Sequence, residues 1–327
     1  MDSRLSRRKL LKTGAIALLA TVVGGLFATT ASADDEKTVR IGFQKSSTLI
    51  TLLKAQGTLE KKLAPLGYKV SWHEFTSGLP LLESLNVGNI DFSADVADTV
   101  PVFALAAGAQ VVFVASEAPS PTAQAIVVPA NSPIKTIADL KGKRVGFAKA
   151  AGVHYLLLSA LAKNGLSFSD ITPAYLSPAD GRAAFTQGSI DAWVVWDPFV
   201  AAVQNQAQVR VIADGSKGLA SYQRYYLASA NFARDNPKAT ALIYAELQNA
   251  GKWVKKNPKE AAAILAPVWG LDTATVELAN SRRSYDVRPV DKKSLQDAQQ
   301  IADLFLKEGL LPKAVDVANA NAWKPVR

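Results

Sequence analysis

Among the 327 residues, Gln44-Lys45-Ser46-Ser47-Thr48 puts an amide, an ammonium and three hydroxyls into five positions. A β-rich run over 38–43 precedes it, and a run with apolar residues at three and four spacing over 49–63 follows. The segment is therefore predicted at a strand end and a helix start, where open α/β sheets place their ligands. The unpaired N–H groups of a first helical turn, with hydroxyls beside them, form a donor array for the oxygens of an anion. Plain helix capping by Ser46 or Ser47 is the other use of the same residues.

Two more corners share this geometry: Asp98-Thr99 before Val100-Pro101, and Ala151-Gly152 before a helix opening at His154. A fourth is Trp196-Asp197-Pro198. Strand alternation sets Trp193 and Val195 on one face and Val194 and Trp196 on the other, with Trp193 assigned to the core. Trp196, at the strand end, can wall the apolar part of a ligand, while Asp197 caps a helix whose first position is Pro198. Neutral donors from several such corners could surround one small anion with little formal charge.

Other chemistries lack their residues. His73 and His154 are the only histidines and stand in no H-E-x-x-H or carboxylate cluster, so no metal site is expected. No G-x-S-x-G elbow and no Walker phosphate loop is present, so neither a hydrolytic enzyme nor an ATPase is expected, and no cofactor is implied. The chain has no cysteine, which removes disulfides, thiolate sites and a lipidated cysteine anchor.

The elements that must position these corners alternate. Strand-like runs at 38–43, 69–75, 90–93 and 110–116 are separated by helical stretches at 49–63, 80–87 and 99–107, which predicts the α/β class with a mostly parallel sheet. Two prolines in Glu117-Ala118-Pro119-Ser120-Pro121-Thr122 interrupt the pattern. Alternation resumes with strands at 125–128, 144–147, 173–176, 192–196 and 209–213, and a Gly- and Ser-rich stretch at 214–221 interrupts it again. One strand at 226–230 leads into a helical tail over 237–310. A chain that leaves one unit, builds a second and returns is expected to form two hinged lobes around a cleft.

Arg4, Arg7, Arg8, Lys9 and Lys12 precede a 13-residue apolar run, 15–27, and Ala31-Ser32-Ala33 offers small residues for cleavage. This is the pattern of a secretory leader, residues 1–33. Its Ser6-Arg7-Arg8 fits the twin-arginine form. The leader carries five Lys/Arg and one Asp, so its removal lowers the formal charge from +9 to +5. That excess is dispersed, which argues against a nucleic-acid partner and fits mild attraction of small anions.

Several runs together resemble the aliphatic-sulfonate-binding proteins of bacterial ABC importers, within the wider group that binds taurine, nitrate and thiamine precursors. They are Arg40-Ile41-Gly42-Phe43-Gln44-Lys45, Leu85-Asn86-Val87-Gly88-Asn89-Ile90-Asp91, Asn131-Ser132-Pro133-Ile134-Lys135-Thr136, Ala138-Asp139-Leu140-Lys141-Gly142-Lys143 and Trp196-Asp197-Pro198. The resemblance implies a type II periplasmic-binding fold with lobes 34–118 plus 227–327 and 119–226, joined by a two-segment hinge. It also implies a soluble monomer in the periplasm whose partners are a small organosulfonate and the permease and ATPase subunits of an importer. Taurine, nitrate, an aromatic sulfonate or a thiamine-precursor pyrimidine are the alternative cargoes. Carried over, the family's cleft falls on Gln44, Ser46, Ser47, Thr48, Asp98, Thr99, Ala151, Gly152, His154, Trp196 and Asp197. Glu117, Tyr225 and Arg288 lie at boundaries that reach either the cleft or the surface.

Overall fold

The structure is a computed structural model, and it describes residues 37–325. The leader assigned to 1–33 lies outside the described residues. From Lys37 the chain runs β1 (Lys37–Gln44), α1 (Thr48–Ala55), α2 (Thr58–Leu63), β2 (Tyr68–Phe75), α3 (Gly78–Asn86), β3 (Phe92–Ala97), α4 (Thr99–Ala106) and β4 (Val111–Glu117). It continues through β5 (Gln124–Pro129), β6 (Arg144–Phe147), α5 (Gly152–Lys163), β7 (Thr172–Tyr175), α6 (Pro178–Thr186), β8 (Ala192–Trp196), α7 (Phe199–Gln206) and β9 (Val209–Asp214). The last part is β10 (Arg224–Ser229), α8 (Ala230–Asp235), α9 (Pro237–Lys256), α10 (Pro258–Trp269), α11 (Thr273–Ser281), β11 (Val287–Arg288) and α12 (Lys292–Lys307).

These strands form two sheets. One has six strands in the order β11-β4-β10-β3-β1-β2, the other five in the order β7-β6-β8-β5-β9. The chain passes to the second sheet after Glu117 and returns at Arg224. The class is α/β, but the sheets are mixed and not mostly parallel. β10 runs antiparallel to both β3 and β4, and β5 runs antiparallel to β8 and β9. The strands next to each passage between the sheets enter without a covering crossover helix, so nothing imposes the parallel sense.

Other local differences have equally simple causes. The helical run over 49–63 is two helices, because Gly57 takes a left-handed conformation (φ 60°) between them. The strand expected at 90–93 lies at Phe92–Ala97, where all six residues are buried, including the polar Ser93 and Asp95 that weaken its hydrophobic signal. The tail holds a two-residue strand, β11, which is too short to show a period. Pro198 precedes α7 and is not its first residue; a cis peptide bond joins it to Asp197.

Helix α12 shows how the tail reaches the centre of the molecule. The side chain of Asp291 accepts the Ser294 N–H at 2.7 Å, and Leu295, Ala298, Ile301, Ala302 and Phe305 form one buried stripe. Phe305 ends edge-on against Phe103 of α4 (5.0 Å between ring centres) and His154 of α5 (4.9 Å). One apolar cluster thus runs from Leu81 and Val100 through Val153 and Trp196 to Phe305 without a break. A separate cluster on the other face of the six-stranded sheet packs Ile41, Phe92 and Val114 against Ile243 of α9.

Candidate functional site

A small cavity lies where both sheets present their strand ends, lined by Gln44, Gly78, Ala97, Val100, Ala151, Gly152, Trp196, Tyr222 and Arg224. Four of the residues singled out in the sequence meet there: Gln44, Ala151, Gly152 and Trp196. A fifth, Ser46, accepts a hydrogen bond from Trp196 Nε1 at 3.2 Å, which ties the end of β8 to the β1–α1 corner. Gly152 is required at its position. A Cβ there would come within 2.7 Å of the Tyr222 ring and 3.0 Å of the Ala97 Cβ. Any larger residue at the start of α5 must push the two walls apart.

Tyr222 and Arg224 were not singled out, and they give the cavity its electrostatic character. Arg224 donates to the Tyr222 hydroxyl at 2.7 Å and to the Asp95 carbonyl at 3.1 Å, and forms an ion pair with Asp95 Oδ2 at 2.5 Å. Arg283 donates to the same Asp95 oxygen at 3.1 Å and to Glu117 at 2.8 Å, while the Tyr226 hydroxyl donates to the other Glu117 oxygen at 2.7 Å. Both arginines and both carboxylates are buried. Burial alone would lower the arginine pKa values, but Asp95 beside Arg224, and Glu117 with Asp95 beside Arg283, hold both above the ordinary range. Both guanidinium groups remain charged. The Arg224 Nε–H has no protein partner, so a buried, fully charged group at the cavity wall keeps a free donor.

Backbone strain surrounds this network. Tyr222 and Tyr285 both take positive φ (51°), a conformation that costs a bulky residue about 1–3 kcal/mol. Each lies two residues from one of the arginines, and its ring faces that guanidinium, 5.3 Å for Arg224 over Tyr222 and 5.0 Å for Arg283 over Tyr285. The Gln223 N–H donates to Asp98 Oδ2 at 3.0 Å, and the Tyr285 hydroxyl bonds to both Asn280 and Thr48, so the strained residues are held from two sides.

The remaining sequence candidates do not line the cavity. Ser47 closes the corner by accepting the Gln44 N–H at 3.2 Å, and Thr48 accepts from Tyr285 at 2.9 Å. Thr99 is the buried first residue of α4, and Asp98 bonds to the Gln223 backbone and Ser221, with burial raising its pKa to about 6. Asp197 caps the Ala201 N–H and pairs with Arg282 at 3.0 Å, and its pKa is likewise raised to about 6 by burial. His154 sits among Phe147, Phe168, Tyr175 and Phe305, where burial and then Lys149 lower its pKa to about 3, so it is neutral. Glu117 belongs to the Arg283 pair. Tyr225 points to the opposite face of β10 from Arg224 and donates to the Ser294 carbonyl at 2.8 Å. Arg288 is in the edge strand β11.

Among the described residues, no group of three or more His, Cys, Asp or Glu could hold a metal ion. The arrangement is suited to recognition: a small cavity with one guanidinium, one amide, a helix start and an indole, and no carboxylate in its lining.

Comparison with known proteins gives three concordant results. Residues 69–261 match the family model described as NMT1/THI5 like. A curated aliphatic sulfonates-binding sequence of Escherichia coli (strain K12) is 40% identical over 313 residues, covering 95% of this chain and 96% of that one. The alkanesulfonate-binding protein SsuA from Xanthomonas axonopodis pv. citri, solved bound to MOPS, superposes with a TM-score of 0.83 at 40% identity, covering 89% of this chain and 99% of its own. The periplasmic aliphatic sulphonate binding protein SsuA from Escherichia coli gives 0.80 at 41% identity, with coverage of 89% and 93%.

Proposed function

Because the chain belongs to the NMT1/THI5-like family and, within it, to the aliphatic-sulfonate-binding proteins, we propose that it captures an aliphatic sulfonate for an ABC importer. The carrying observation is the convergence of Arg224 and Gln44 from one sheet with Gly152 and Trp196 from the other on one cavity. A sulfonate is a permanent monoanion with three equivalent oxygens. The free Nε–H of Arg224, the Gln44 amide and the first N–H groups of α5 suit those oxygens, and a charge-assisted bond in such a setting is worth about 1.5–3 kcal/mol. Ala97, Val100 and the Trp196 ring suit the carbon attached to sulfur. Taurine fits less well, because its ammonium would meet no carboxylate in the lining.

The same reading assigns the rest of the transport cycle. Residues 1–33 direct export, possession of a twin-arginine pair selects the route, and the mature protein acts as a soluble monomer in the periplasm without catalysing a reaction. The six-stranded sheet with its helices forms one lobe and the five-stranded sheet with its helices the other, with the passages after Glu117 and before Arg224 as the hinge. The Trp196–Ser46 bond and the Gly152–Ala97 contact are then closed-state contacts, made when the ligand is enclosed and presented to the permease and its ATPase.

Calorimetry on the mature protein with ethanesulfonate, taurine, sulfate and nitrate tests the cargo. Ethanesulfonate is expected to bind most tightly; tight binding of another anion with no alkanesulfonate binding overturns the assignment. Fractionation of cells expressing the full chain, with the mass of the product, tests export and cleavage after Ala33.

A further inference from the structure

Between the end of β6 and the start of α5, the turn over 148–151 brings Ala151 and Gly152 into the cavity lining. Ala150, within this turn, takes a positive φ of 58°, a left-handed conformation that costs a residue with a Cβ about 1–2 kcal/mol. Ala151 stands at the N-cap of α5, and the helix start receives no side-chain cap. Local preference therefore does not hold the turn in this shape.

His154 does. Its Nδ1 accepts the Ala150 N–H at 3.3 Å. A backbone amide can only donate, so Nδ1 carries the lone pair and the proton of the neutral ring is on Nε2. The ring is buried, and four aromatic neighbours fix its orientation, with ring centres at 4.8 Å for Phe147, 4.9 Å for Phe305, 5.5 Å for Phe168 and 6.2 Å for Tyr175. Nε2 has no protein partner. A phenyl ring would suit such a cage better, since an unpaired buried donor costs about 1–3 kcal/mol. The bond to Ala150 is what an imidazole can do here and a phenyl ring cannot.

Resting on the proposed capture of a sulfonate in the cavity, we infer that His154 is a positioning residue for the anion: through Nδ1 it holds Ala150 in the left-handed conformation and so keeps the first N–H groups of α5 set toward the ligand. It does not touch the ligand itself, because it is absent from the cavity lining. Nor does it offer a charge, since burial and then Lys149 lower its pKa to about 3. Its effect passes through the backbone.

The test separates the acceptor from the packing. His154→Phe keeps an aromatic ring in the cage and loses the acceptor. His154→Asn keeps an acceptor oxygen near the place of Nδ1 and loses the ring contacts. Ethanesulfonate affinity by calorimetry and melting temperature are measured on the mature wild-type protein and both variants. His154→Phe is expected to bind about tenfold more weakly than the wild type, the loss of one hydrogen bond. His154→Asn should bind more tightly than His154→Phe although it melts at a lower temperature. Wild-type affinity in His154→Phe, or affinities that simply follow the melting temperatures, overturn the positioning role. Nitrogen-15 NMR of the wild-type ring at neutral pH needs no variant: protonation at Nε2 is expected, and a proton on Nδ1 overturns the inference. Absence of ethanesulfonate binding by the wild type overturns the parent reading, whereas the nitrogen signature reports on the turn alone.

Discussion

The six-stranded sheet meets the cavity with charge, and the five-stranded sheet meets it without any. On the first side, Arg224 stands in a lattice with Asp95, Arg283 and Glu117, all buried and mutually bonded. On the second, Gly152, Ala151 and Trp196 offer backbone N–H groups, a close-approach surface and an indole. The asymmetry has a physical logic. A buried guanidinium is tolerable only where carboxylates and hydroxyls already satisfy it, and such a lattice is too interlocked to be divided between parts that move apart. The neutral side can separate from the ligand and return at little desolvation cost.

The comparison is broken most severely at Arg224. Arg224→Met leaves Asp95 with one partner and the Tyr222 hydroxyl with none, so a loss of about 3–5 kcal/mol of stability is expected in urea unfolding, together with loss of sulfonate binding. The double variant Arg224→Met with Asp95→Leu should recover much of the stability and none of the binding. Next is Gly152→Val on the neutral side. Its side chain would press on the buried Tyr222 ring and on Ala97 of the other sheet, so binding should weaken about a hundredfold, roughly 2.7 kcal/mol. A variant that binds normally would show that the two walls need not meet.

His154 sharpens the contrast, since the neutral side keeps this buried imidazole uncharged. The unfolded chain takes up a proton near pH 6.5 and the folded one only near pH 3, so the unfolded state binds more protons between these values. The stability this residue contributes is present above about pH 6.5 and is lost as the pH falls. Relative to His154→Leu, the wild type should lose about 2 kcal/mol between pH 6.5 and pH 5, measured by urea unfolding at each pH. An equal pH profile in both proteins would place a charge on the folded-state histidine. The smallest effect is expected for Trp196→Phe, which removes the bond to Ser46 and keeps an aromatic wall: about 1 kcal/mol, or fivefold to tenfold, in sulfonate affinity.

What could be read in the sequence follows the same division. Gln44, Ala151, Gly152 and Trp196 each lie at a strand-to-helix junction, and that local pattern is visible in a one-dimensional text. Ser47, Thr48, Asp98 and Asp197 lie at the same junctions, yet they close turns, cap helices or pair with residues far along the chain. A junction locates a corner; it does not say which side chains face the ligand. His154 stands beside the cavity loop in sequence and turns into an aromatic cage, because two residues along the helix from Gly152 bring it to another face. Tyr225 and Arg224 are neighbours on opposite faces of β10, and only the register decides that Arg224 lies across from Ala97 and Glu117. A charged residue inside the strand run Arg-Tyr-Tyr-Leu-Ala-Ser was the one available hint, since arginine is almost never fully buried unless it is paired.

By itself the sequence determined the alternation of strands and helices, the absence of cysteine, and the corners at which a ligand could sit. These follow from periodicity and residue type, which act over a few positions. The tertiary structure decided that the sheets are mixed and that Asp95, Glu117, Arg224 and Arg283 share one network. Those outcomes depend on contacts between residues up to 188 positions apart, as between Asp95 and Arg283. No local propensity encodes such a pairing; it arises when burial of both sheets forces each buried charge to find its partner.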